Sequence, residues 1–98
     1  MPQFVVRDEA KPDQADRNQE LVEEVFAELA EIDPGAIRYI TFRLADGVTF
    51  VHIADVESDD HNPLAETAAF KEFQAELAAR CVEQPDVQEA TLVGSYRF

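Results

Sequence analysis

Tyr39, Arg43 and His52 stand near one another in the middle of the chain, and they are the side chains best suited to chemistry. A histidine can act as general base near neutral pH, a tyrosine can donate a hydrogen bond to a developing oxyanion or phenolate, and an arginine can fix an anionic group. The stretch Ala45-Asp46-Gly47-Val48 brings them together, because Asp-Gly between two β-rich runs is a strong hairpin signal. With Ala45 opposite Val48, Arg43 falls opposite Phe50, Thr41 opposite His52 and Tyr39 opposite Ala54, all projecting from one face. The other face carries Ile40, Phe42, Leu44, Thr49, Val51 and Ile53, and is predicted to pack on helices. A plainer account of the mixed face makes Arg43 an ion-pair member at a subunit contact and His52 a hydrogen-bonded filler of the interior.

A second candidate site lies on the expected helix side, where Phe26, Phe42, Val51, Phe70 and Phe73 would bound an apolar substrate-binding pocket for a small aromatic ligand. Aromatics at helical spacing are more often ordinary core. This pocket and the mixed hairpin face point in opposite directions, so only one of them can be the site. The pocket has no base of its own unless the loop bearing His61 folds over it. Glu57, Asp59, Asp60 and His61 supply oxygen ligands, but they lack the Asp-x-Asp-x-Asp-Gly pattern of a calcium loop and a second histidine for zinc, so no metal site is assigned. Cys81 reads as a small core residue near a helix end. The glycines Gly35, Gly47 and Gly94 form no phosphate loop, dinucleotide fingerprint or nucleophile elbow.

The elements that must position these residues alternate in period. Gln3 to Arg7 reads as a strand, and the polar stretch Asp8 to Ala15 as a spacer. Leu21, Val22, Val25, Phe26, Leu29 and Ile32 recur at helical spacing, with Asp16 and Gln19 as a near capping box and Pro34-Gly35 as the stop. After the hairpin, Asn62-Pro63 starts a short helical turn and Thr67 caps a longer helix. Phe70, Phe73, Leu77 and Cys81 line one side of that helix, and Glu76 and Arg80 form an exposed i,i+4 pair before Pro85. Glu89 to Phe98 reads as a last strand. The order is βαββαβ, a split βαβ pattern. Right-handed crossovers then place strand three between one and two, and strand one between three and four, in an antiparallel four-stranded sheet with both helices on one face.

Composition bounds the rest. The 98 residues make one domain, 1–98, small enough that a partner subunit would add usefully to its core. Eight Lys and Arg against 21 Asp and Glu give a net charge of −13, which repels nucleic-acid backbones and anionic membranes. One cysteine allows no internal disulfide, no apolar run is long enough to span a bilayer, and the N-terminus does not read as a signal peptide. The expectation is a soluble, cytoplasmic protein with no nucleic-acid or membrane partner. The sheet face away from the helices would need cover, and a two-fold homodimer would supply it.

The element order, Ile40-Thr41-Phe42-Arg43 leading into Gly47-Val48-Thr49-Phe50-Val51-His52, Asn62-Pro63-Leu64 followed by Phe70-Lys71-Glu72-Phe73-Gln74, and Gly94-Ser95-Tyr96-Arg97 together resemble the antibiotic-biosynthesis-monooxygenase-like group of dimeric α+β barrel proteins. The resemblance covers nearly the whole chain. It implies a ferredoxin-like α+β fold, a homodimer in which two sheets curl into a barrel, and a pocket in each subunit between sheet and helices. It also implies a cofactor-independent monooxygenase acting on a small aromatic or electron-rich substrate, with no cofactor. The alternative is a non-catalytic dimeric small-molecule-binding or accessory protein. Haem-degrading members use an Asn on the first strand with a Trp and a His on helical segments. This chain has no Trp, no Asn before Asn18 and no His in either main helix, so haem degradation is not implied.

Overall fold

The computed structural model describes residues 3–35, 37–57 and 62–98. Period-two alternation runs further along the first strand than Arg7: β1 spans Gln3–Glu9, with Phe4, Val6 and Asp8 on one face. Asp8 therefore belongs to the sheet and not to the polar spacer expected of it. The hairpin strands are β2, Ile37–Arg43, and β3, Thr49–Val56. The last strand, β4, is Asp86–Ala90. The sheet order is β2-β3-β1-β4 with every neighbouring pair antiparallel, as the crossover argument requires.

The hairpin register is the expected one, with Tyr39 opposite Ala54, Thr41 opposite His52 and Arg43 opposite Phe50. The loop is wider than a two-residue turn. Leu44 N–H bonds the Thr49 carbonyl at 2.8 Å, so Ala45 and Val48 lie in the connection. Asp46 organises it, its Oδ1 accepting from the N–H groups of Val48 at 3.0 Å and Thr49 at 2.9 Å, and its Oδ2 from the Thr49 hydroxyl at 2.6 Å. These bonds hold its carboxyl below the usual range. Gly47 takes φ of 81°, the left-handed conformation that a glycine adopts without strain.

The helices are α1, Ala15–Ile32; α2, Pro63–Glu66; α3, Ala68–Ala75; and α4, Leu77–Arg80. Helix α1 has Gln14 at its N-cap position without a side-chain cap bond. Asp16 and Gln19 form no capping box and instead accept from the Arg43 guanidinium at 3.1 and 2.7 Å. Asn62 caps α2 through Leu64 N–H at 3.0 Å, and Thr67 caps α3 through Phe70 N–H at 3.1 Å, both as expected. The Glu28 carboxylate, from α1, adds two acceptors at the start of α3, taking Ala68 and Ala69 N–H at 3.1 and 2.9 Å. The long second helix expected from the sequence is broken at Glu76 (φ −120°, ψ 16°), and α4 turns Arg80 inward to 3 % exposure. Arg80 is thus not the surface partner of Glu76.

The hairpin faces are reversed from the expectation. Phe50 and His52 are buried against the helices, whereas Ile40, Phe42 and Ile53 on the opposite face are 40 %, 44 % and 38 % exposed. Leu21, Val22, Val25, Leu64 and Phe73 form the main core cluster on the inner side, with Phe26, Tyr39 and Phe70 packed on it. Ranking the faces by hydropathy fails here because the polar inner residues satisfy one another. Residues 91–98 have no regular secondary structure and are exposed, so the expected strand Glu89 to Phe98 is really Asp86–Ala90 followed by an extended tail. The polar run Asp86, Gln88 and Glu89 around Val87 hides this edge strand from a hydropathy count.

Phe50, 1 % exposed, discriminates the two face assignments. Phe50→Ala should lower the urea-unfolding free energy by about 3–5 kcal/mol. A loss below about 1 kcal/mol would return the core to the Phe42 side.

Candidate functional site

Three adjacent strands deliver one row of polar side chains to the inner face of the sheet. Thr41 on β2 is directly opposite His52 on β3, and Tyr39 is diagonal to it. Across the other edge of β3, Val6 on β1 is opposite His52, which makes Asp8 the diagonal neighbour on the same face. His52 is 4 % exposed and Asp8 2 %. Their contact, His52 Nε2 to Asp8 Oδ1, is 2.6 Å.

The chemistry of the donors fixes the pattern. A carboxylate only accepts, so the imidazole proton in this contact sits on Nε2. The Nδ1 side then faces two hydroxyls, Tyr39 Oη at 2.9 Å and Thr41 Oγ1 at 3.0 Å. Behind Asp8, its Oδ2 accepts from Asn18 Nδ2 at 3.3 Å, and Asn18 Oδ1 accepts from Arg80 Nε at 3.0 Å. Arg80 Nη2 donates to the Phe73 carbonyl at 2.6 Å. A continuous chain therefore runs Tyr39–His52–Asp8–Asn18–Arg80, buried from His52 to Arg80 and half-buried at Tyr39.

Aromatic packing holds the row in place. Phe26 stacks on Tyr39 with ring centroids 4.9 Å apart, and Phe73 meets His52 edge-on at 5.7 Å. Burial raises the Tyr39 phenol above its ordinary value. The Thr41 hydrogen bond opposes this and the negative field of Asp8 adds to it. Tyr39 therefore keeps its proton and presents a phenolic O–H between imidazole and cavity.

That cavity holds about 490 Å³. Phe4, Val6, Ala54, Leu64, Phe70, Phe73 and Leu77 make its walls, and Tyr39, His52 and Asp8 supply polar groups at one end. Asn62, Gln74 and Gln84 add exposed amides at the rim. A mostly apolar cleft of a few hundred Å³ with a few convergent polar groups is the usual form of a small-molecule site. It can hold a flat ligand, exclude water and move a proton from a ligand hydroxyl.

The sequence candidates divide accordingly. His52 and Tyr39 share this cavity with Phe70 and Phe73, so the expected conflict between the mixed face and a helix-side pocket disappears. Phe42 and Val51 lie on the other face of the sheet and do not line it. Phe26 touches it only through Tyr39, and lines a separate cleft of about 320 Å³ with Gln19, Val22, Thr41 and Arg43. Arg43 is outside the main cavity, because its Nε donates to the Gly47 carbonyl at 2.9 Å and its Nη1 pairs with Asp16 at 3.1 Å. Sequence reasoning missed Asp8, Asn18 and Arg80. The Phe4-Val6-Asp8 alternation was the available signal for the first, and the spacing of Arg80 seven residues after Phe73, which puts both on one helical face, was the signal for the last. Cys81 is buried as expected, and burial pushes its thiol up. Asp59, Asp60 and His61 lie outside the described residues. Among the described residues, no group of three His, Cys, Asp or Glu is placed to hold a metal ion, and no helix is long and apolar enough to cross a membrane.

The raised Tyr39 value has a measurable sign. In a Tyr96→Phe variant, whose sole tyrosine is Tyr39, phenolate absorbance should appear above the ordinary value of 10.0. The unfolded phenol ionises first, so stability is unaffected well below pH 10 and declines as pH rises through 10 towards the folded value. An ionisation below 10 would contradict the buried placement.

No protein-family model matches this chain, and no curated protein matches its sequence. Solved structures do match its fold. An antibiotic biosynthesis monooxygenase superposes with a TM-score of 0.77 at 20 % identity, over 96 % of this chain and 100 % of the other. A Nitrosomonas europaea protein provisionally named an antibiotic biosynthesis monooxygenase gives 0.79 at 19 % identity, over 96 % and 100 %. The Rv0793 protein of Mycobacterium tuberculosis gives 0.74 at 17 % identity, over 97 % and 98 %. This chain has the ferredoxin-like α+β fold of the antibiotic-biosynthesis-monooxygenase-like proteins.

Proposed function

We propose that the chain is a cofactor-independent oxygenase-type enzyme that binds a small, flat, hydroxyl-bearing aromatic or electron-rich molecule and removes its acidic proton. The observation that carries this reading is the apolar cavity ending on the buried Asp8–His52–Tyr39 chain. The likeness of fold to proteins named monooxygenases supports the reaction class without assigning a substrate.

The proton has a continuous route. A ligand hydroxyl placed at Tyr39 Oη gives up its proton as Tyr39 passes its own to His52 Nδ1, and the imidazolium so formed is held by the Asp8 carboxylate. The ligand anion is left among Phe70, Phe73 and Leu64, away from water, where it is electron-rich towards dioxygen. In the oxygenation of a CH₂ carbon to a ketone, one oxygen atom enters the product and the other leaves as water with the two hydrogens. The chain's own part is to bind, orient, exclude water and carry one proton.

We further propose a homodimer. Ile40, Phe42, Leu44 and Ile53 leave an exposed apolar patch on a sheet face that a second copy would cover. Phe42→Asp should convert a dimer to monomer in light scattering at micromolar concentration, and a wild-type monomer there would overturn this part.

A dihydroxyanthrone probe in an oxygen electrode tests the activity. The wild type should consume oxygen and form the quinone, and His52→Ala should lower the rate about 10²–10⁴-fold. Binding with no oxygen uptake would replace the enzyme with the small-molecule-binding reading. Absence of binding would overturn both.

A further inference from the structure

His52 Nδ1 has two claimants. The Asp8 carboxylate holds the imidazole proton on Nε2, which leaves the neutral ring a single lone pair, on Nδ1. Tyr39 Oη lies 2.9 Å from that nitrogen and Thr41 Oγ1 lies 3.0 Å from it, yet one lone pair takes one full hydrogen bond. The Thr41 hydroxyl is also within bonding reach of the Tyr39 oxygen. The two hydroxyls differ in what else they meet: Tyr39 lines the main cavity, whereas Thr41 lines the second cleft.

We propose that Thr41 is a positioning residue that releases the Tyr39 hydroxyl from His52, so that the cavity takes the carbonyl form of a ligand as well as its hydroxyl form. The three groups can be wired in two ways. In the first, Tyr39 donates to Nδ1, Thr41 donates to Tyr39 Oη, and a ligand hydroxyl donates to the same phenolic oxygen. In the second, Thr41 donates to Nδ1 and the Tyr39 O–H turns to a ligand oxygen that only accepts. Nδ1 is paired in both. Without the Thr41 hydroxyl, the second wiring leaves the Nδ1 lone pair without a donor on a ring that is 4 % exposed, and a buried acceptor left unpaired is costly. The first wiring needs no Thr41. The residue thus discriminates between ligands by their own donors and acceptors while standing outside the cavity that holds them. The ligand class that fits is a flat ketone together with its enol or phenol, two forms related by the proton the site is read to remove. The inference rests on the reading of the main cavity as the ligand site, with Tyr39 as its polar contact.

The test compares the dissociation constants of 2-naphthol, which can donate, and 1-tetralone, a bicyclic ketone that only accepts, by titration calorimetry at a pH where the ring is neutral. The wild type should bind both. Thr41→Val, close in shape to threonine, should weaken 1-tetralone about tenfold or more and 2-naphthol by less than about twofold. Thr41→Ser, which keeps the hydroxyl, should restore the ketone. If Thr41→Val fails to fold, Thr41→Cys, whose S–H is a weak donor, should show the same selective loss. Unchanged 1-tetralone affinity in whichever of the Val and Cys variants folds, or a parallel loss of both probes, would overturn the proposal. Wild-type binding of 2-naphthol without 1-tetralone would overturn it alone, whereas binding of neither would remove the functional reading as well.

Discussion

Asp8 is the constraint on which this molecule turns. A carboxylate buried in the middle of a sheet costs several kcal/mol unless its oxygens are matched, and the match here takes groups from three other places in the chain. One oxygen meets His52 on β3, and the other meets Asn18 on α1, which is held in turn by Arg80 from α4. Removing one partner would leave a buried group unsatisfied, which is more damaging than replacing the whole set with apolar residues of similar size. The chain therefore ties the helical layer to the sheet at the place where the cavity ends. A network that gives up hydrophobic burial in favour of oriented polar groups beside an apolar cleft is the arrangement expected where proton movement is the task.

Packing and chemistry are joined through the aromatic residues. Phe73 belongs to the core cluster, lines the cavity, abuts the imidazole and gives its carbonyl to Arg80. Phe26 belongs to the core side of α1 and stacks on Tyr39. The imidazole and the phenol are thus held by residues that also stabilise the fold, so their geometry is set before any ligand arrives.

Much of this was legible in the residues. Asp46-Gly47 marks the hairpin, and period-two counting from it places Thr41 opposite His52 and Tyr39 beside them. Pro and Thr signals mark the starts of α2 and α3, and crossover handedness yields the strand order. The face of the hairpin that packs inward was not legible. Ile40, Phe42 and Ile53 are more apolar than Tyr39, Thr41 and His52, and a hydropathy comparison assigns burial to the wrong set. What reverses it is the pairing of polar residues far apart in sequence, 44 positions between Asp8 and His52 and 62 between Asn18 and Arg80. Such pairs follow from the three-dimensional register. Asp8 is hidden because it opens a polar stretch, and register alone places Arg43 beside His52 without showing that Asp16 and Gln19 claim its guanidinium.

The central claim is that the mixed hairpin face, turned towards the helices, carries the ligand site. Side-chain NMR during a titration with 2-naphthol tests it most directly. The account predicts that resonances of His52, Tyr39, Phe73 and Leu64 move together, while those of Ile40, Phe42 and Ile53 on the opposite sheet face stay in place. Movement confined to the Ile40, Phe42 and Ile53 resonances, or none at saturating probe, would contradict it.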